Sequence, residues 1–418
     1  MSLVKNSQQA DLVRTPSDTG PGLSFVQSLQ RVLQQNIREY GMYIALFVII
    51  VIFTITTEGT FISSRNIVNL VNQAGYIAVL AVGMTLVIVI RHIDLSVGFL
   101  AGFIGAIAAI ALKYWGLPIY VVLPMALMLG TLSGLITAFL VAQLKIPAFV
   151  ATLAGWLIYR GALVVVLAST GTIIISDEVF NAIGNDFIPD AFPAETAILP
   201  GVHKLTLILG SLGIVLFIVS QINDRRKKLT YNFEVLPMNL FILKLAFVSV
   251  LVGGITWILA GYQGLSWTAV VVLLVVGVYH FVTTQTVLGR HIYAIGGNPE
   301  AAQLSGINVK RLTFVVFGSM GMLSALAGIL FASRLRSASP QAGQLFELDA
   351  IAAAFIGGVS AAGGVGKIMG SLIGALVYMS LTNGMNLLGT GSDAQNIVKG
   401  AVLAAAVIFD VATRTRSR

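Results

Sequence analysis

Long apolar runs alternate with short polar breaks along this 418-residue chain. A helix that spans a bilayer needs about 20 mostly apolar residues. About twelve stretches approach that length: 40–57, 67–90, 95–112, 117–142, 147–168, 205–222, 240–260, 265–284, 312–332, 349–366, 368–388 and 394–411. In lipid the backbone groups of each stretch must bond internally, so the pattern predicts helices. A closed barrel would instead alternate apolar and polar positions over segments of roughly 10 residues. The unbroken run VVVLLVVGV at 270–278 does not alternate. The expected fold is all-α: a polytopic membrane protein of about twelve transmembrane helices.

Two places interrupt this pattern. Spans two and three are separated only by RHID at 91–94. Span ten, DAIAAAFIGGVSAAGGVG at 349–366, is rich in glycine. It is expected to be a broken or re-entrant helix, which lipid tolerates only where protein buries it or it lines a cavity. Asp94, Ser96, Gly363, Gly364 and Gly366 are the candidate breaks or hinges. Such interruptions at related places in two halves mark the pathway of many transporters. The pairs Gly98/Gly102, Gly130/Gly134 and Gly370/Gly374 are each four apart, so each pair lies on one helix face. Small faces let helix backbones approach, either as a sliding seam or as static packing.

Composition agrees with a lipid environment. The chain is 57% hydrophobic and 10% charged, against roughly 25% charged in soluble domains. Its net charge of +8 does not form the patch that nucleic acid needs. The basic residues sit at segment ends instead, as membrane topology requires. Arg31 and Arg38, the run DRRKKLT at 224–230, Arg290, Lys310 and Arg311, and the terminal RTRSR fall on one side. That side is read as the cytoplasm, with both termini there. The opposite loop at 169–204 carries Asp177, Glu178, Asp186, Asp190 and Glu195 against Lys204. Tyr114, Trp115, Trp257, Tyr262 and Trp267 fit an interfacial belt. Residues 1–39 read as a polar cytoplasmic tail with an amphipathic lead-in around Phe25–Ile37, and not as a secretory signal. Residues 40–411 form the membrane domain and 412–418 a basic tail. Cysteine is absent, so disulfides and thiolate metal sites are excluded; no metal site is expected.

Several polar islands invite a chemical reading. In the cytoplasmic loop 285–311, GGNPEAAQLSGINVKR occupies 296–311. Pro299 can begin a short helix, Glu300 suits its N-terminal dipole, and Gly306 can stop it. A short helix at the membrane surface is either a solvated loop or a handle that a partner moves. In RHIDLSVG, Asp94 or Ser96 is placed to cap a helix starting near Leu95, and Arg91 and Asp94 can pair. His92, Asp94 and Ser96 lack the oriented third group of a hydrolase, and no catalytic residue is assigned. GGVGK at 363–367 is no phosphate loop, because Ala361 and Ile368 stand where that motif needs glycine and Ser or Thr. Asn66, Asn69 and Gln73 share one helix face, with Asn72 adjacent, and Asn383 and Asn386 share another. These amides either line the outer mouth of a path for a neutral polar solute or bond between helices, at about 0.6 kcal/mol each. Arg334 and Arg336 fall on the outer side, against the charge bias. Asp94, Glu347, Asp349, Asp393, Asp410 and Lys244 fall near segment ends, which disfavours an ion-coupled transporter of a small polar solute, the alternative reading. His280 sits one turn from a cytoplasmic end, which disfavours an intramembrane enzyme.

IDLSVG (93–98), GGNPEAAQLSGI (296–307) and ELDAIAAAFIGGVSAAGGVGKIMGSLIGAL (347–376) occur in this order. Together they resemble the membrane-spanning permease subunits of bacterial ATP-binding cassette importers for monosaccharides. The resemblance covers roughly residues 60 to 411. It implies a core of ten helices in two halves of five, and here an inserted pair at about 205–260. That insertion resembles the longer xylose and multiple-sugar permeases more than the ribose type. The resemblance further implies that Asn298, Pro299, Glu300, Ala301, Ala302 and Gly306 form the segment that couples to a separate ATPase subunit. ATP would be bound there, and this chain would carry no cofactor. The other implied partners are a periplasmic sugar-binding protein, a second copy of the chain, and membrane lipid. Arg334 and Arg336 would then meet acidic lobes of the binding protein. The implied location is the bacterial inner membrane, and the implied cargo a pentose such as xylose or a hexose.

Overall fold

The helices begin where the sequence supplies caps. The computed structural model describes residues 37–192, 199–233 and 235–415. The lead-in before Ile37, Glu195 and the last residues of the basic tail lie outside them. In chain order the helices are α1 (Ile37–Thr56), α2 (Ser64–Val89), α3 (Val97–Lys113), α4 (Ile119–Ala142), α5 (Ala148–Val166) and α6 (Glu178–Asn185). There follow α7 (Lys204–Thr230), α8 (Met238–Ala260), α9 (Trp267–Gln285), α10 (Val287–Gly297), α11 (Pro299–Leu304) and α12 (Val309–Leu335). The last three are α13 (Phe346–Ile356), α14 (Ile368–Leu387) and α15 (Ser392–Thr415). Ser63, Ser266, Thr286 and Asn308 each accept a bond from an amide in the first turn of α2, α9, α10 and α12. Those amides have no partner inside the helix, so a side-chain oxygen there fixes the start. Pro118, Pro147 and Pro237 set the starts of α4, α5 and α8, where a missing N–H costs nothing.

The protein is an all-α polytopic membrane protein, as expected. Among the described residues nine helices are long and apolar enough to cross a membrane, and Gly41–Thr56 and α3 are shorter apolar helices. The remaining predicted span, 349–366, is broken: α13 has only 11 residues and gives way to a turn over 357–367. Gly358, Gly363 and Gly364 adopt positive φ there, which side-chain-bearing residues rarely hold.

The chain leading to α13 is re-entrant. Its strand β2 (Ser337–Ala338) pairs with β1 (Ile173–Ile174), and Lys113 at the C-terminus of α3 donates to Ile174 O. Gly343 and Glu347 instead abut Gly98 at the N-terminus of α3. The stretch from Ala338 to Glu347 therefore runs the length of α3, about 25 Å, and residues 339–345 within it form neither helix nor strand. The glycine pairs make this possible. A side chain at Gly102 would overlap the Ala342 carbonyl, and one at Gly98 the Gly343 carbonyl. Gly130 and Gly134 on α4 meet Gly321 and Phe317 of α12, while Gly370 and Gly374 on α14 meet Gly357 and Ala353 beside α13. All three predicted small faces are thus backbone-to-backbone contacts.

The core surrounds α2 and α12, each of which carries more buried residues than any other helix. The inserted pair α7–α8 stands apart. Only 6% of the apolar window of each helix is buried, and α8 touches the body mainly along α2.

One expectation is corrected. Glu347 and Asp349 do not lie at a membrane boundary but are buried in the bundle. Asp349 accepts from Tyr378 Oη at 2.7 Å, at the middle of α14, and pairs with Lys399 of α15 at 3.4 Å. Glu347 accepts from Trp156 Nε1 of α5 at 3.0 Å. Because the chain re-enters before α13 begins, the start of that helix lies inside the bundle and carries both carboxylates with it. The two carboxylates hold α13 from opposite sides. Removing one partner of a buried pair strands the other charge, at a cost of about 3–5 kcal/mol. Asp349→Ala should therefore lower the thermal midpoint of the detergent-purified protein. Adding Lys399→Leu should recover at least half of the loss in the same melting measurement.

Candidate functional site

The loop that the sequence singled out folds into a capped, clamped unit. Asn298 Oδ1 accepts from the amides of Glu300 and Ala301 at 3.0 and 3.1 Å, and Pro299 opens α11. Gly306, with φ of 84°, lets the chain turn away. Ala302 is buried, whereas Glu300, Ala301 and Gly306 are exposed. Leu304 is 90% exposed, an unusual position for a large apolar side chain on a polar loop. Behind this helix, Arg91 at the end of α2 donates through Nε to Gly296 O at 2.7 Å, and its guanidinium also reaches the Gly297 carbonyl. Gly364 N donates to Val89 O at 2.9 Å. Tyr293 Oη donates to Gly366 O at 2.6 Å, and burial pushes that hydroxyl's pKa up, so it stays a donor. Three segments meet here: the end of α2, the glycine turn after α13, and the end of α10.

The expected Arg91–Asp94 pair is absent from this arrangement because the guanidinium is spent on the two glycine carbonyls. Asp94 Oδ1 instead accepts from Ser96 N at 2.9 Å and Ser96 Oγ at 2.6 Å. This local turn delays α3 to Val97, two residues later than Leu95. Lys310 reaches Gln143 Oε1 at 3.1 Å, so the loops after α2, α4 and α10 share one basic end of the bundle.

At the other end the predicted amides divide into two groups. Asn66 and Asn383 exchange reciprocal bonds at 2.9 and 3.1 Å, with Gln73 Oε1 3.5 Å from Asn383 Nδ2. Asn386 accepts from Gln395 of α15 at 2.7 Å. These are bonds between helices. Asn69 and Asn72, with Asn66, instead line a cavity of about 430 Å³ between α2, α6, α12 and the loop before α9. Arg334 lines it too, and its guanidinium donates to Asn69 Oδ1. The two arginines expected to share a docking surface therefore separate: Arg334 turns inward, and Arg336 is exposed.

A family model described as "Branched-chain amino acid transport system / permease component" matches residues 66–407. The chain belongs to this family of permease components. The permease is similar to the xylose transport system permease protein of Haemophilus influenzae, with 39% identity over 91% of this chain and 98% of that protein. It is 38% identical to the corresponding Escherichia coli K12 protein over 97% and 98% of the two chains. It is 36% identical to the ribose import permease protein of E. coli K12, over 89% and 93%. No solved structure matches it.

Sequence reasoning missed four features of the permease: Arg91 as a clamp, Leu304 as an exposed apolar side chain, Arg334 as a cavity residue, and the depth of α13. Only Leu304 carried a signal, as a lone leucine on the polar face of a short helix. The clamp makes a sharp prediction. A side chain at Gly296 would overlap the Val89 carbonyl and the Gly364 backbone, while Gly297 has open space. Gly296→Ala should destabilise the permease by about 1–3 kcal/mol, as overpacking does, and Gly297→Ala should not, both read from thermal unfolding in detergent.

Proposed function

We propose that this permease is the membrane subunit of an ATP-binding cassette importer that carries a monosaccharide, a pentose such as xylose or a hexose, across the bacterial inner membrane. One observation carries the reading. The chain is 38% identical to the E. coli xylose permease over 97% of its length and 36% identical to the E. coli ribose permease over 89%. The site chemistry suits a hydrogen-bonding cargo that is not a cation. Among its described lining residues the cavity has amides and arginines but no carboxylate. Asn66, Asn69, Gln73, Asn383 and Asn386 are assigned to the outer end of the sugar path, with the last two and Gln73 holding its helices in register.

The basic end faces the cytoplasm in this reading. There Asn298, Pro299, Glu300, Ala301, Ala302 and Gly306 shape a helix for the ATPase subunit, with Leu304 as its apolar anchor. The clamp at Arg91 makes α11 move with α2 and with the glycine turn over Gly363, Gly364 and Gly366. Arg336, at the opposite end, is available to an acidic lobe of a periplasmic sugar-binding protein. A second copy of the chain is supported by the re-entrant stretch, where Gln341 and Gln344 are exposed. Irregular backbone at membrane depth must face protein or water rather than lipid.

Vesicles containing the permease, its ATPase subunits and its binding protein should take up at least one radiolabelled pentose or hexose on addition of ATP. Dissipating the proton gradient at constant ATP should leave uptake unchanged, whereas loss of uptake would favour an ion-coupled transporter. Leu304→Glu should reduce uptake at least about tenfold, as removal of an interface anchor does, with the permease still folded.

A further inference from the structure

An aromatic cluster lies one helical turn deeper than the cavity. α2 descends from the cavity and α12 rises towards it, so Tyr76 lies one turn below Asn72 and Phe331 one turn below Arg334. Phe346, the first residue of α13, joins them. The three rings are mutually in contact, with centroids 5.2 Å apart for Tyr76–Phe331, 4.8 Å for Tyr76–Phe346 and 4.9 Å for Phe331–Phe346. Above these rings, Asn72 is 3% exposed and lines the cavity, yet its Oδ1 has no hydrogen-bond partner. Leaving a buried amide oxygen unpaired is unfavourable, so the site is waiting for a hydrogen-bonding group.

We infer that this cavity is a discrete binding site for a neutral polyol, with Asn72 and Arg334 as its polar contacts. The inference rests on the importer reading, and it adds a binding step within the permease itself. Hydroxyl groups are donor and acceptor at once, and so match a wall of primary amides. The cavity lines Asn66, Asn69, Asn72, Asn185 and Gln263 together. One hydroxyl donates to the open end of Asn72. Another accepts from Arg334, which a ligand would draw from Asn69. At about 430 Å³ the cavity falls within the roughly 300–1,000 Å³ of small-ligand sites.

The test uses full-length permease in lipid nanodiscs without ATPase or binding protein. Saturation-transfer NMR is recorded with D-xylose and D-ribose, and with L-leucine and D-xylonate for comparison. The site predicts transfer to the neutral sugars, at least about threefold weaker in Asn72→Leu and separately in Arg334→Gln, and weaker for leucine and xylonate. Two variants on different helices guard against the misfolding of one, and each is checked by thermal melting. Absence of transfer from the wild-type protein overturns the inference, as does transfer that neither variant reduces, or preference for the xylonate anion. Because the complete importer is assayed in parallel, sugar uptake without this binding would sink the site alone. Failure of all uptake would sink the importer reading.

Discussion

An apolar solvent offers no partner to a peptide group, and this constraint organises the molecule. Most of the chain meets it with helices, whose amides and carbonyls bond internally. Residues 339–345 cannot, because they cross alongside α3 without regular structure. They are covered instead by backbone laid against backbone, at Gly98, Gly102 and Gly343. The glycines lower the distance between chains until peptide groups screen one another. The buried carboxylates of Glu347 and Asp349 follow from the same geometry: a helix that begins inside the bundle brings its polar first turn with it. Trp156, Tyr378 and Lys399 then supply the donors that lipid does not.

α2 connects the two ends of the protein. Its first half carries Asn66, Asn69 and Asn72 at the cavity, and its last turn carries Val89, next to Arg91, at the clamp. At 26 residues and 83% buried over its apolar window, it has little freedom to bend. Small displacements at one end must be passed on or absorbed by its neighbours, of which α12 and α14 touch it along much of their length. Thr85 bonded to Ser371, and Asn66 bonded to Asn383, join α2 to α14 near both ends. The cavity and the surface helix are thus parts of one packed body.

Much of this was readable before any coordinates. Apolar runs placed most of the helices, because length and hydropathy decide spanning in lipid, though α7 continues to Thr230 beyond the expected end at 222 and α13 stops at Ile356. Pro299, Glu300 and Gly306 announced the short helix through backbone chemistry that needs no tertiary context. What was hidden depends on partners remote in sequence. Nothing local separates an arginine that pairs with Asp94 from one that clamps Gly296, some two hundred residues away. The depth of Asp349 was hidden for the same reason: a run of apolar residues gives its length but not where an irregular approach sets its start. The amides were legible as a group, yet only the fold divides Asn66 and Asn383, which satisfy each other, from Asn72, whose oxygen is buried without a partner.

The sparse burial of α7 and α8 has a consequence for how such a chain can change over generations. Their sides are wetted by acyl chains rather than by neighbouring protein, and apart from α8 along α2 few residues of the bundle register their presence. Substitutions there are judged mainly by oiliness, so they can accumulate freely. The ends of the hairpin are held more tightly, since Tyr262 and Gln263 just beyond α8 line the cavity and the first turn of α7 bonds to Asp190 and Leu265.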